Sequence, residues 1–111
     1  MQLQQLINQQ GPLPLKGGFI AATTNPVLLV VTGSLWTTTA NVMIQMNVYL
    51  DGNQIGVAQV FSNGASTHRV LPTLFIGLPP LSSDDEHTIM LAAPSPATTD
   101  YNDSFSASLI F

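Results

Sequence analysis

The sequence predicts an all-β fold, an antiparallel β-sandwich or jelly roll of about eight strands with a short N-terminal arm. Three observations carry that prediction. Residues 41–61, NVMIQMNVYLDGNQIGVAQVF, read as a β-hairpin. Short apolar or alternating segments recur at spacings of roughly 10 residues with turn signals between them. Helical and strand-like segments do not alternate, so a parallel α/β sheet has no support.

The hairpin is the clearest element. Val42, Ile44, Met46, Val48 and Leu50 alternate with Met43, Gln45, Asn47 and Tyr49, and a strand sends successive side chains to opposite faces. Asp51-Gly52 between two such runs is a strong hairpin signal, because Gly52 takes positive φ without steric cost. On the returning arm, Ile55, Val57, Gln59 and Phe61 share one face and Gly56 and Ala58 the other. The larger set is expected to face the core, with a bulge or a close neighbour at Gly56 and Ala58.

The other elements follow in chain order. In residues 1–10, Leu3, Leu6 and Ile7 stand at i, i+3 and i+4 of a Gln-rich segment, the spacing of a short helix. A helix that short needs a partner surface, so residues 1–18 are expected to be an arm and connector, with Leu3, Leu6 and Ile7 as partner contacts. Residues 19–111 are expected to form the sandwich. Leu15 to Ala22 reads as a weak first strand. Val27 to Thr37 reads as one strong strand, apolar on both faces at its start, which calls for cover on both sides, the outer one supplied by another subunit. Thr67 to Ile76 reads as an edge or bulged strand, because Pro72 lacks a ladder donor. Glu86 to Ala93 and Ser104 to Phe111 alternate cleanly.

Composition limits the partners. The 111 residues suffice for one domain. Charged residues make up 7%, against about 25% in ordinary globular chains. Lys16 and Arg69 are the only strong bases. Such a chain cannot line a phosphate backbone or hold an anionic bilayer, so neither nucleic acid nor membrane insertion is expected. A surface of Ser, Thr, Asn and Gln suits subunit contacts or neutral glycans. With no cysteine, a disulfide framework and a thiolate metal site are both ruled out. No basic segment followed by a long apolar run opens the chain, so no signal peptide is expected.

Candidate sites come from the acids and aromatics. Asp84, Asp85, Glu86, Asp100 and Asp103 are five of the six acids and lie in or beside the last two loops. Asp100, Asn102 and Asp103 offer oxygens suited to Ca²⁺ or a sugar, although Asp and Asn more commonly make turns. His68 and His87 could bind a metal or exchange protons, but they are 19 residues apart with no third ligand at metal spacing, so no metal or cofactor is expected. His87 is expected to pair with Asp85 or Glu86. No nucleophile-elbow sequence is present, so no catalytic residue is assigned. Tyr49 and Tyr101 are the better contact aromatics, while Trp36 is expected to pack in the core with its N–H on a loop carbonyl.

LLVVTGSLW, VYLDGNQIG, HTIMLAA and TDYNDSFSASLIF, spread over residues 27–111, resemble small trimeric jelly-roll modules of the tumour-necrosis-factor-like type, as in phage head-decoration proteins and fibre tips. The resemblance implies a homotrimer with apolar outer-face contacts and a displayed loop end, on a virion surface or outside the cell. A Gln-rich arm stands here in place of a stalk, which suits attachment to a capsid or other particle protein. The alternative is a lectin-like module using Tyr49, Tyr101 and the acidic loop.

Overall fold

The computed structural model describes residues 1–111. The hairpin forms where the alternation places it. Strands β5 (Val42–Leu50) and β6 (Asn53–Ser62) pair antiparallel, with Leu50 opposite Asn53. Asp51 and Gly52 both take positive φ, 49° and 83°. That combination is the two-residue turn whose twist matches the flanking strands.

The rest of the chain wraps around this hairpin in nested antiparallel pairs. The order outward is β3 (Val27–Thr32) with β8 (Leu74–Leu78), β2 (Leu15–Ile20) with β9 (Glu86–Ala92), and β1 (Leu3–Gln10) with β11 (Ser104–Ile110). These eight strands form two sheets in the orders β1-β11-β3-β8 and β2-β9-β5-β6. That is the folded double ribbon of a jelly roll. Short strands β4 (Ser34–Thr37), β7 (Arg69–Val70) and β10 (Ala97–Thr98) form a small third sheet at one end. Between the two large sheets lies one core of 17 buried residues. Leu29, Val31, Leu35, Met46, Val48, Ile89 and Leu91 have no exposed surface.

Four expectations need correction. Residues 3–10 are a strand in the first sheet, with neither helix nor detached arm. Ile7 is 3% exposed in the protein's own core, so it is closed to a partner. Leu6 packs against that core and only Leu3 stands free, at 67% exposed. The register slips between Gln5 and Ile7. This bulge shifts the alternation by one and produces the spacing that resembles a helix.

The long strand expected over 27–37 breaks at Gly33. A Cβ there would lie 2.7 Å from the Phe105 ring, so the chain passes that ring only as glycine, and it leaves the first sheet for the third. Pro72 separates β7 from β8, and each lies at the edge of its sheet, as the missing proline donor led one to expect. On β6 the faces are reversed: Ala58 opposes Met46 and Val60 opposes Ile44. Ala58 is buried, while Phe61 is 50% exposed. Gly56 has the close neighbour its position suggested: a Cβ there would lie 2.6 Å from Ile76 Cδ1.

Candidate functional site

Two groupings of polar side chains stand out, one at the loop end of the sandwich and one on the outer face of the second sheet. The loop end is built around Asp103, which has no exposed surface. Its Oδ1 accepts from the Ser34 hydroxyl at 2.7 Å and lies 2.7 Å from His68 Nδ1. Its Oδ2 accepts from the Asp100 N–H at 2.9 Å, and Asp100 Oδ1 accepts from the Asn102 N–H at 2.8 Å. Both acids therefore hold loop backbone, leaving no all-oxygen cage for Ca²⁺.

The His68 ring lies against Trp36, with centroids 5.8 Å apart. The hydrogen bond to Asp103 raises the His68 pKa against the opposing effect of burial, and the Asp103 and Asp100 charges add to the rise. Trp36 Nε1 is buried without the expected carbonyl partner. The contacts run Ser34–Asp103–His68, whereas a hydrolytic relay places the imidazole between acid and hydroxyl. Tyr101 is 73% exposed beside this cluster.

At the opposite end a second His–Asp pair closes the hairpin tip. His87 Nδ1 lies 2.8 Å from Asp51 Oδ2, and His87 Nε2 lies 2.8 Å from the Ser82 carbonyl. Asp51 Oδ1 accepts from the Thr88 N–H. The partner is the turn aspartate 36 residues away, replacing the expected Asp85 or Glu86. With both ring nitrogens facing acceptors, this geometry suits the imidazolium. The Asp51 and Ser82 hydrogen bonds raise the His87 pKa. Burial pushes the Asp51 pKa up, but hydrogen bonds from His87 and Thr88 outweigh it and leave the value lowered.

The second grouping runs along the outer face of β5 and β6. Gln59 Nε2 donates to Gln45 Oε1 at 3.0 Å, Gln45 Nε2 to Asn47 Oδ1 at 2.7 Å, and Asn47 Nδ2 to the Tyr49 hydroxyl at 3.3 Å. All donors point the same way, so the Tyr49 O–H is left to donate onward and the Gln59 carbonyl to accept. Asn47 is only 9% exposed although it faces outward. Met43 and Phe61 sit opposite each other at one end, each 50% exposed, and Met90 lies beside Tyr49 at the other.

The sequence-derived contacts therefore separate. Asp100, Tyr101, Asn102 and Asp103 share the loop end, while Tyr49 belongs to the sheet face. Sequence reasoning missed Ser34 and named His68 without its partner; both meet Asp103, from 69 and 35 residues away, a separation that leaves no local signal. It also missed the role of Gln45 and Asn47, whose positions at i and i+2 before Tyr49 were the available sign. An apolar pit lined by Phe19, Ala21, Val27, Leu78, Leu109 and Phe111 holds ≈ 10 Å³, room for one water and no sugar ring.

No family model and no curated protein matches the chain. Among solved structures the fold is similar to the EclA C-terminal domain, described as a sugar-binding protein. The TM-score is 0.49 at 14% identity, over 96% of this chain and 73% of that one. A likeness this loose transfers neither ligand nor site. What the strands themselves define is an all-β antiparallel sandwich.

Proposed function

We propose that this protein is a non-catalytic, lectin-like binding module that takes a neutral glycan on the outer face of the second sheet. The observation that carries the reading is the Gln59–Gln45–Asn47–Tyr49 ladder. Exposed amides ordinarily keep their rotamer freedom and lose it on binding. Here the side chains are already fixed on paired strands, with a donor free at one end and an acceptor at the other. Uncharged donors and acceptors flanked by Met43, Phe61 and Met90 match a sugar, which offers hydroxyls on its edges and C–H groups on its faces. From Met43 to Tyr49 the face runs about 20 Å at roughly 3.4 Å per residue, the length of a short oligosaccharide.

The test is glycan-array binding by the full chain, followed by Tyr49→Phe and Gln45→Ala. Loss of binding in both, with melting temperatures kept, supports the reading. Binding that survives both and is lost with Tyr101→Ala moves the site to the loop end.

A second reading, self-assembly, rests on the outer face of the first sheet. Leu3, Ile110 and Leu28 lie in one row, and Ser108, Val30 and Phe75 in the next. Leu3 and Phe75 are 67% and 68% exposed. An uncharged face of this kind favours burial against a like face. The homotrimer and particle-coat role implied by the family resemblance would use it. Light scattering of wild type and Phe75→Glu tests this: an oligomer that the substitution dissociates supports it, and a wild-type monomer at micromolar concentration refutes it.

A further inference from the structure

The two groups at the loop end that still point outward are a histidine nitrogen and a carboxylate oxygen. With His68 Nδ1 engaged by Asp103 Oδ1, Nε2 faces away from the core. With Asp100 Oδ1 engaged by the Asn102 N–H, Oδ2 is left free. These two free atoms are 3.8 Å apart. That is too long for a hydrogen bond. Two ligands on one tetrahedral cation, each at about 2.0–2.2 Å, stand roughly 3.4 Å apart, a few tenths of an ångström closer. Both side chains retain surface to make that adjustment, at 36% and 38% exposed.

We propose that His68 Nε2 and Asp100 Oδ2 bind a divalent transition cation such as Zn²⁺ or Ni²⁺, with Asp103 as the carboxylate behind the imidazole. An imidazole that donates its other N–H to a carboxylate is the usual arrangement of a metal-binding histidine, because that contact fixes the tautomer and makes the ligand more basic. The parts standing behind the pair are rigid. Asp103 is fully buried and also held by Ser34, and Trp36 covers one side of the ring. His68, Asp100 and Asp103 each offer an atom within 4.8 Å of the others. One nitrogen and one carboxylate oxygen select a borderline cation over Ca²⁺, which needs six or more oxygens. Solvent oxygens complete the shell.

Trp36 is the only tryptophan, so its fluorescence reports on this corner alone. Ni²⁺ titrated into the full chain at neutral pH should quench it saturably, and excess diamagnetic Zn²⁺ should restore it. His68→Gln and Asp100→Asn should each weaken the quenching constant by at least the loss typical of a missing outer-shell partner, about tenfold or more. His87→Gln should leave it unchanged. Asp100→Asn keeps the backbone N–H that Asp103 needs, so it serves as the folded control should His68→Gln destabilise the loop. Quenching that fails to saturate, or that saturates equally in both variants, overturns the assignment.

Discussion

Ile7→Ala tests whether the first strand belongs to the core. Ile7 is 3% exposed and pairs with Ala107 on β11. The β1 backbone crosses so close to β2 that a Cβ on Gly17 would lie 2.6 Å from the Leu6 carbonyl oxygen and 3.0 Å from Ile7 Cγ1. The substitution removes three buried carbons at a site where neighbouring backbone cannot collapse inward. Such truncations cost about 2–5 kcal/mol, against a total near 5–15 kcal/mol for a domain. At roughly 4 °C per kcal/mol for a chain of this size, the melting temperature should fall by about 8–20 °C. Leu3→Ala, on the same strand but 67% exposed, should cost no more than about 0.5 kcal/mol. Urea unfolding with unchanged m-value is the assay. If Ile7→Ala stays within about 0.5 kcal/mol of wild type, or Leu3→Ala matches it, β1 is an accessory arm after all. Deleting residues 1–10 should unfold the domain, because it also strips the cover from the β11 ladder.

Further outcomes follow from the His–Asp pairs and the glycines. The folded-state pKa of His87 is raised from 6.5, so its stabilisation is complete below the unfolded value and fades as pH rises through the folded one. His68 acts in the same direction. Melting temperature should therefore fall as pH rises beyond the ordinary histidine value of 6.5, and His87→Gln should flatten part of that fall; an unchanged profile refutes the pairing. Asp51, with a lowered pKa, contributes above the unfolded carboxylate value and is lost as pH falls through its folded value, a limb that Asp51→Asn should remove in an acid titration followed by circular dichroism. Gly33→Ala forces a Cβ to 2.7 Å from Phe105 Cδ1 and 3.1 Å from Met46 Sδ, and should cost about 1–3 kcal/mol in urea unfolding.

The hairpin was legible because its turn chemistry and its alternation agree. β9 and β11 were legible for the same reason. β1 was misread because its bulge adds a residue, and a strand with one extra residue imitates the 3.6-residue period over ten positions. The β6 faces were reversed because both carry apolar residues. Size suggested Val57 and Phe61 for the core, whereas the face that packs on it carries Gly56, Ala58 and Val60, and a Cβ at Gly56 would already meet Ile76. At the candidate sites, Tyr49 could be placed by strand parity alone. The partners of Asp103 could not, since contacts spanning 35 and 69 residues depend on how the ribbon is rolled.

The nesting of the strand pairs has a consequence for how the chain folds. Only the central hairpin closes a short loop, and each later pair encloses all the residues inside it. Gln2 and Phe111 exchange backbone hydrogen bonds, so the outermost pair encloses every other pair between them. Loop closure grows costlier outward, and chains with such distant pairings fold slowly. On the ribosome, the β1 residues must remain without their partner until β11 has been synthesised. Until then they form an unpaired, Gln-rich edge in search of a strand.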